Sequence, residues 1–205
     1  MVKQTGVYKY MLFSMFVCGI LVSASYSNAS NYQIDPAHSQ VIFKVKHLGI
    51  STVSGRFDNF EGVYNFDDAI IENSSVEAKI NAVSVNTNKE KRDKHLRSDE
   101  FLDVEEFPEI TFKSKSIKKG PSEGKFQIIG DLTIHGITKE VVLDANYEGS
   151  VDKDPWGNAR SAFTAETEIN RKDYGLTWNK MLETGQFLVG NQVKIVLEVE
   201  GIRTK

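Results

Sequence analysis

Alternation of apolar and polar residues is the dominant pattern in this chain. Between residues 40 and 47, Val41, Phe43 and Val45 fall on one side, and Lys44 and Lys46 fall on the other. This is the pattern of a strand with one buried face. A turn containing Gly49 separates it from a second extended arm. The two arms therefore predict a β-hairpin.

The second arm contains a break in its period. The parity of its apolar positions shifts by one between Phe57 and Phe60, which predicts a bulge or a sharp bend there. A period of two then recurs in six later segments, at residues 76–80, 110–112, 126–134, 141–147, 163–169 and 193–199. Together with the hairpin, these segments predict about eight strands in antiparallel succession.

One charged stretch departs from the strand pattern. Residues 88–103 contain no β-branched side chain, and they predict one α-helix at about 88–99. Leu96, Phe101 and Leu102 are expected to pack on the mouth of the fold. The basic residues of the predicted helix are Lys91, Arg92, Lys94 and Arg97. They form either a solvated face, which is favoured, or a site for an anionic head group.

The fold class that follows is all-β. Regular strand spacing fits a sandwich or a barrel, and a single antiparallel β-barrel of about eight strands is favoured because closure removes exposed sheet edges. Residues 174–185 are rich in large apolar side chains without alternation, and they predict a short helical or lid segment over one end.

The first 29 residues have the features of a cleaved signal peptide. Lys3 and Lys9 precede an apolar run, and the segment ends in small residues near Ala29. About twelve strongly apolar residues are too few to span a bilayer, so an integral membrane anchor is not expected. Residues 30–205 then form one exported domain with no cysteine.

Loss of the two leader lysines changes the formal net charge from −3 to −5. This acidic balance argues against nucleic acid and anionic membrane surfaces as partners.

Candidate chemistry is sparse. The four histidines, at positions 38, 47, 95 and 135, show no metal-ligand spacing. The chain also has no nucleophile elbow, phosphate-binding glycine loop or H-E-x-x-H motif. The sequence therefore favours a protein that is not an enzyme, without a metal or cofactor.

Five separated motifs, spread over essentially the whole exported domain, resemble the YceI-like family of periplasmic isoprenoid-binding proteins. They are Phe43–Gly49 with Gly55-Arg56-Phe57, His95–Ser98 with Phe101–Val104, Phe107–Phe112, Gly130–Gly136 and Asn170–Leu176. Position 174 is tyrosine where the family often has phenylalanine, which adds a hydroxyl that needs a partner if it is buried.

The resemblance implies a lipocalin-like barrel whose interior holds one long apolar molecule. A polyisoprenoid, an isoprenoid quinone tail or a fatty-acyl chain would fit. From the residues alone a solid core is equally consistent with about eight strands. The residues expected to contact the ligand are Phe43, Val45, His47, Phe57, Ile110, Phe112, Phe126, Ile128, Phe163, Ile169, Tyr174, Leu176, Trp178 and Met181.

Three functions follow as hypotheses. The first is binding, transport or storage of such a lipid in the periplasm without catalysis, and the family also implies a homodimer. The second is an envelope stress-response or interaction protein with a largely filled barrel, and the weakest is a lipid-ester hydrolase. For a carrier, tail length is expected to dominate affinity, since one exposed head-group hydrogen bond adds only about 1 kcal/mol.

Overall fold

A computed structural model of the protein describes residues 29–183 and 185–204. The expected signal peptide lies almost wholly outside the described residues. The described chain contains one α-helix, α1 (Glu90–Arg97), and eleven strands. The strands are β1 (Ser30–Ile34), β2 (Gln40–His47), β3 (Ser51–Phe57), β4 (Phe60–Phe66), β5 (Ser75–Asn81), β6 (Val85–Asn86), β7 (Glu109–Lys119), β8 (Lys125–Ile134), β9 (Ile137–Val151), β10 (Arg160–Asn170) and β11 (Val189–Arg203).

The strands form a closed antiparallel barrel. Neighbours follow the order β1, β4, β5, β7, β8, β9, β10 and β11, and β11 returns to pair with β1 through Ile34 and Gly201. This ring of eight strands confirms the predicted barrel and rules out the open sandwich. Closure matters for function because it encloses the inward side chains of every strand.

The three remaining strands, β2, β3 and β6, extend the sheet outwards from β11. β2 pairs with β11 beyond the point where β1 leaves it, and β3 pairs with β2. β6 then pairs with the end of β3. The predicted break in the second hairpin arm is confirmed, because β3 ends at Phe57 and β4 begins at Phe60.

One end of the barrel, which we call the helix end, is formed by residues 82–108, 171–183 and 185–188. Helix α1 is fastened there by Arg97, whose guanidinium donates to the carbonyl oxygens of Val83 at 2.6 Å and Val85 at 2.9 Å. Arg92 donates to the hydroxyl and carbonyl of Thr87. Two of the four basic residues predicted to face solvent therefore hold the helix in place.

Residues 171–183 and 185–188 complete the helix end, and none of them belongs to an α-helix. A 3₁₀ turn covers Arg171–Tyr174 and ends at Gly175, whose φ is 76°. The described residues that follow are irregular apart from an isolated bridge between Met181 and Phe187. The described residues of the expected segment at 174–185 thus form an irregular loop. Helix propensity does not predict the conformation of this loop, because the loop is held by tertiary hydrogen bonds such as those between Asn179 and Val189.

The other end, which we call the opposite end, includes the loops at residues 67–74, 120–124 and 152–159. Arg160 anchors it through ion pairs to Asp35 at 2.8 Å, Asp154 at 2.6 Å and Glu200 at 2.5 Å. Arg160 and then His38 lower the pKa of Asp35 through hydrogen bonds. Burial alone would raise the pKa of Asp154, but bonds from Arg160, Asn158 and the Trp156 amide outweigh it and lower it to about 2.

These shifts predict how stability changes with acid. Carboxyls whose pKa is lower in the folded state stabilise it fully above their unfolded pKa, near 4, and lose that contribution as pH falls towards the folded value. Arg160→Met is expected to lower the melting temperature at pH 7 by several degrees. The melting temperature of this variant should also fall less between about pH 4 and pH 2 than that of the unmodified protein. Thermal unfolding followed across this range measures both effects.

Lys194→Met is the matched control. Lys194 pairs with Glu166 at 2.7 Å between the same two strands, β10 and β11, but both side chains are largely exposed. Exposed pairs contribute about 0–1 kcal/mol, so the control should unfold almost as the unmodified protein does. Equal melting temperatures for the Arg160 variant and this control would contradict the role of the network.

Candidate functional site

The closed barrel encloses a cavity of about 290 Å³. Its wall is built mainly by the inward side chains of the ring strands, as the period of two requires. Ten of the fourteen residues predicted to contact a ligand lie in this wall; they are Phe43, Val45, Phe57, Ile110, Phe112, Phe126, Ile128, Phe163, Ile169 and Leu176. The barrel is therefore not solid, and its volume lies near the lower bound for small-molecule sites.

Packed aromatic rings line the cavity towards the opposite end. Phe163 lies at their centre, with ring centroids 5.0 Å from Phe66, 5.3 Å from Tyr64 and 5.9 Å from Phe126. The Tyr64 hydroxyl donates to the Ser161 carbonyl at 3.0 Å, and burial raises the pKa of Tyr64. This hydroxyl is satisfied by the protein, so this end offers a ligand mostly apolar surface.

Apolar side chains of the irregular segments form the wall at the helix end. Leu96, Phe101 and Leu102 come from α1 and the turn after it, and Leu176 comes from the loop after β10. The expectation that the first three pack on the mouth of the barrel is confirmed. The sequence signal was their position at the end of an otherwise charged helix.

Four predicted residues lie outside the cavity wall. Met181 is 64% exposed, and Trp178 packs with ring centroids 4.7 Å from His95 and 5.1 Å from Phe101. His47, at the end of β2, pairs with Val189 and is half-buried. The fourth residue, Tyr174, is buried in the core behind the wall. Loop composition predicted Tyr174, Trp178 and Met181 in the lining, but the path of the loop turns them away from it. His47 was predicted from its position at the end of the first strand, and it is absent from the wall as well.

Polar side chains are few in the wall. They are Asn65, Ser74, Ser75, Thr164 and Arg171, in addition to Tyr64. Sequence reasoning did not single out Arg171, although it has the same parity as the inward Ile169 two positions before it. That parity is the signal that could have placed a positive charge at the cavity.

Arg171 is the buried cation of the site, with 3% of its surface exposed. Its Nε donates to the Gly190 carbonyl at 2.9 Å and its Nη1 to the Leu176 carbonyl at 2.5 Å. Nη2 is buried and has no partner among the described residues. Burial lowers the pKa of Arg171.

The tyrosine that departs from the family pattern is also unpaired. The Tyr174 side chain is 2% exposed, and its hydroxyl has no hydrogen-bond partner within residues 29–183 and 185–204. Burial, followed by the charge of Asp173, raises its pKa to about 12. The sequence had predicted that this hydroxyl would need a partner if it were buried.

The histidines have separate neighbours. His95 bonds to Glu100 at 2.6 Å, and His135 packs against Phe107. His38 lies with Asp35 and Glu200 in a group whose ligand atoms are within 4.8 Å of one another. Both carboxylates of that group also pair with Arg160, so the arrangement acts as an ion-pair network.

Comparison with known proteins places this architecture in context. Residues 32–201 match the YceI-like domain. The chain is 40% identical to a UPF0312 protein of Pectobacterium carotovorum over 199 residues, covering 96% of this chain and 99% of that protein.

Two solved structures are also similar. The crystal structure of a Campylobacter jejuni YceI protein is 32% identical with a TM-score of 0.67, covering 79% of this chain and 91% of that one. A polyisoprenoid binding domain from Saccharophagus degradans is 16% identical with a TM-score of 0.61, covering 84% and 98%. At that identity the second similarity concerns the fold alone. In the described part of the chain, no helix has the length and apolar character needed to cross a membrane.

Proposed function

Because this chain belongs to the YceI-like domain family, we propose that its barrel binds one long apolar lipid chain without catalysing a reaction. The ligand would be a polyisoprenoid, an isoprenoid quinone or a fatty-acyl lipid. Binding would serve its transport or storage in the periplasm, to which the signal-peptide pattern of residues 1–29 directs the protein.

The apolar cavity is the observation that carries the proposal. It lies inside the closed barrel, and most of its wall consists of aliphatic and aromatic side chains. A polar substrate would lose hydrogen bonds to water there without replacing them. An apolar chain gains about 25 cal/mol for each Å² of surface removed from water. The Saccharophagus degradans domain is a polyisoprenoid binding domain, which agrees with this ligand class.

The two other hypotheses have less support. An interaction protein with a largely filled barrel does not fit a cavity of about 290 Å³. A lipid-ester hydrolase needs a nucleophile beside a base. The ring nitrogens of His38 and His95 bond to carboxylates, and no described serine hydroxyl bonds to either ring. Only measured hydrolysis of an ester substrate by the protein would support the hydrolase hypothesis.

Tail length should control affinity. At about −0.3 kcal/mol per heavy atom, each five-carbon isoprene unit contributes roughly −1.5 kcal/mol. Isoprenoid quinones with about two to ten units are therefore expected to bind progressively more tightly until the tail fills the cavity, and then to level off. Titration of lipid-stripped protein measures this series, and native mass spectrometry measures the number of molecules bound.

The expected stoichiometry is one lipid per chain, because the wall encloses a single cavity volume. A water-soluble quinone without a tail serves as the control and should bind at least a thousandfold more weakly than a four-unit homologue. Equal affinity at all tail lengths, or no binding of any homologue, would contradict the proposed function.

A further inference from the structure

Large apolar side chains are exposed on two neighbouring loops at the helix end. Ile50, in the turn between β2 and β3, is 82% exposed, and Met181 and Phe187, in the loop after β10, are 64% and 50% exposed. The Leu48 amide donates to the Leu188 carbonyl at 3.0 Å and so joins the two loops. We call Ile50, Met181 and Phe187 the apolar tips.

Backbone contacts hold the apolar tips in place. The Leu188 amide donates to the Lys180 carbonyl at 2.9 Å, and Met181 and Phe187 form a β-bridge. Gly49, beside the first tip, lines the same surface depression as Phe187. Side chains on an ordered backbone lose little conformational entropy when another surface covers them. Clustered apolar side chains at a protein surface mark a contact with a partner or a membrane.

The apolar tips lie beside the wall of the lipid cavity. Leu176 and Val189 line that cavity, and they belong to the segments of chain on either side of Met181 and Phe187. Val45, on the strand that leads to the turn between β2 and β3, lines it as well. A surface that covers the tips therefore meets the helix end of the barrel, where the cavity is walled partly by loops.

Three lysines flank the apolar tips. The Nζ atom of Lys172 lies 5.7 Å from the centroid of the Phe187 ring, and Lys46 lines the depression beside that ring. Lys180 directly precedes the bridged segment. All three side chains are exposed, and the ion pairs of the described residues do not include them. Their charges are therefore free to meet an anionic group outside the protein.

The local charge differs in sign from the charge of the whole domain. Two exposed acidic residues, Asp173 and Glu183, belong to the same segments as the lysines, so the formal charge of this surface is +1. The acidic balance of the whole domain disfavours an anionic surface as a partner, but the charge of this surface does not. Lysines beside exposed apolar side chains suit a bilayer, where the ammonium groups meet lipid phosphates and the apolar groups reach the acyl chains.

We propose that the apolar tips, together with Lys46, Lys172 and Lys180, form a docking patch for the surface of a phospholipid bilayer, at which the protein takes up or releases its lipid. The inference rests on the proposed function, because a long apolar lipid has to be exchanged with a membrane and not with water. A second copy of the chain fits the patch less well, since three apolar side chains are few for an interface that buries at least about 1,200 Å². A bilayer needs no such area, because each apolar side chain that enters it leaves water separately.

Co-sedimentation with vesicles tests the docking patch. The vesicles consist of phosphatidylcholine with about one quarter phosphatidylglycerol, and the protein is stripped of lipid. The unmodified protein is expected to sediment with them. Ile50→Ser combined with Phe187→Ser should weaken this association at least about tenfold, because two large apolar groups no longer enter the bilayer. Trp156→Ser is the matched control: Trp156 is 76% exposed but lies in the loop 152–159 at the opposite end, so its variant should sediment as the unmodified protein does.

The lysines are tested in the same assay. Lys172→Gln combined with Lys180→Gln should weaken the association about fivefold at low salt and much less at high salt, because salt screens exposed charges. Lys194→Gln, on the side of the barrel, is the control for loss of a positive charge and should have little effect.

Transfer of the cargo gives a second measurement. Passage of geranylgeraniol from loaded protein to vesicles should slow at least about tenfold in the Ile50→Ser and Phe187→Ser protein. The affinity of that protein for dispersed geranylgeraniol should stay within about twofold of the unmodified value, since neither residue lies in the cavity wall.

Three results would overturn this inference: no association of the unmodified protein with vesicles, undiminished association of the Ile50→Ser and Phe187→Ser protein, or loss of association in Trp156→Ser. A dimer in solution that the combined variant abolishes, without vesicle association, would assign the patch to a second copy and overturn it as well. Failure of the unmodified protein to bind geranylgeraniol would overturn the proposed function instead, because co-sedimentation is measured without that lipid.

Discussion

Ala165→Phe is expected to abolish lipid binding while leaving the barrel folded. Ala165 lies in the middle of β10, and its small side chain borders the cavity next to Ala145 on β9. A phenyl ring at this position would occupy space that the tail needs. We expect the affinity for a four-unit isoprenoid to fall by at least about 100-fold, which corresponds to about 2.7 kcal/mol.

The cost in stability should be small because the added ring enters empty volume. Overpacking a filled core costs about 1–3 kcal/mol, and a cavity reduces that cost. Val142→Phe is the matched control: Val142 lies on β9, is 42% exposed and is absent from the cavity wall. It should bind lipid as the unmodified protein does. Undiminished binding by a folded Ala165→Phe protein would place the ligand outside the barrel.

Gly201→Ala is expected to weaken the closure of the barrel itself. Gly201 pairs with Ile34 where β11 meets β1. A Cβ atom there would collide with the ring of Tyr64, lying 2.6 Å from Cε1 and closer still to the hydroxyl. Tyr64 cannot easily yield, because it stacks on Tyr32 at 4.9 Å and bonds to Ser161.

The predicted loss is about 3 kcal/mol, from overpacking and the disturbed hydrogen bond. For a domain of this size that corresponds to roughly 10 °C in melting temperature. Gly190→Ala, on the same strand, is the control. Its Cβ would approach no heavy atom closer than 3.2 Å, so its effect should be much smaller.

A double-mutant cycle identifies the collision as the cause. Tyr64→Leu removes the ring that the new methyl group meets. The combined Gly201→Ala and Tyr64→Leu protein should therefore lose less stability than the sum of the two single variants. Strict additivity would show that the glycine acts through its backbone and not through the contact with Tyr64.

Local periodicity was enough to predict much of the architecture. Val41, Phe43 and Val45 share one parity in their strand, opposite to that of Lys44 and Lys46, and all three line the cavity. The charged stretch predicted as a helix at about 88–99 forms α1 at Glu90–Arg97. These predictions succeeded because the face of a strand and the formation of a helix depend on residues close together in sequence.

The local pattern of the sequence does not specify how the loop after β10 folds back on the barrel. Trp178 and Met181 have the composition of a binding surface, yet neither reaches the cavity wall. Their directions depend on backbone bonds between residues distant in sequence, such as the bond from Leu48 to Leu188. No local pattern specifies such a path.

The sequence by itself determined the order of the elements, the inward face of the strands and the resemblance to a family of lipid-binding barrels. Only the tertiary structure decided that the enclosed space stays partly empty, and that Arg171 in its wall has no ion-pair partner among the described residues. The volume of a cavity and the partners of a charge are set by distances between strands that the chain brings together on closing. The spacing of residues along one strand does not determine these distances between strands.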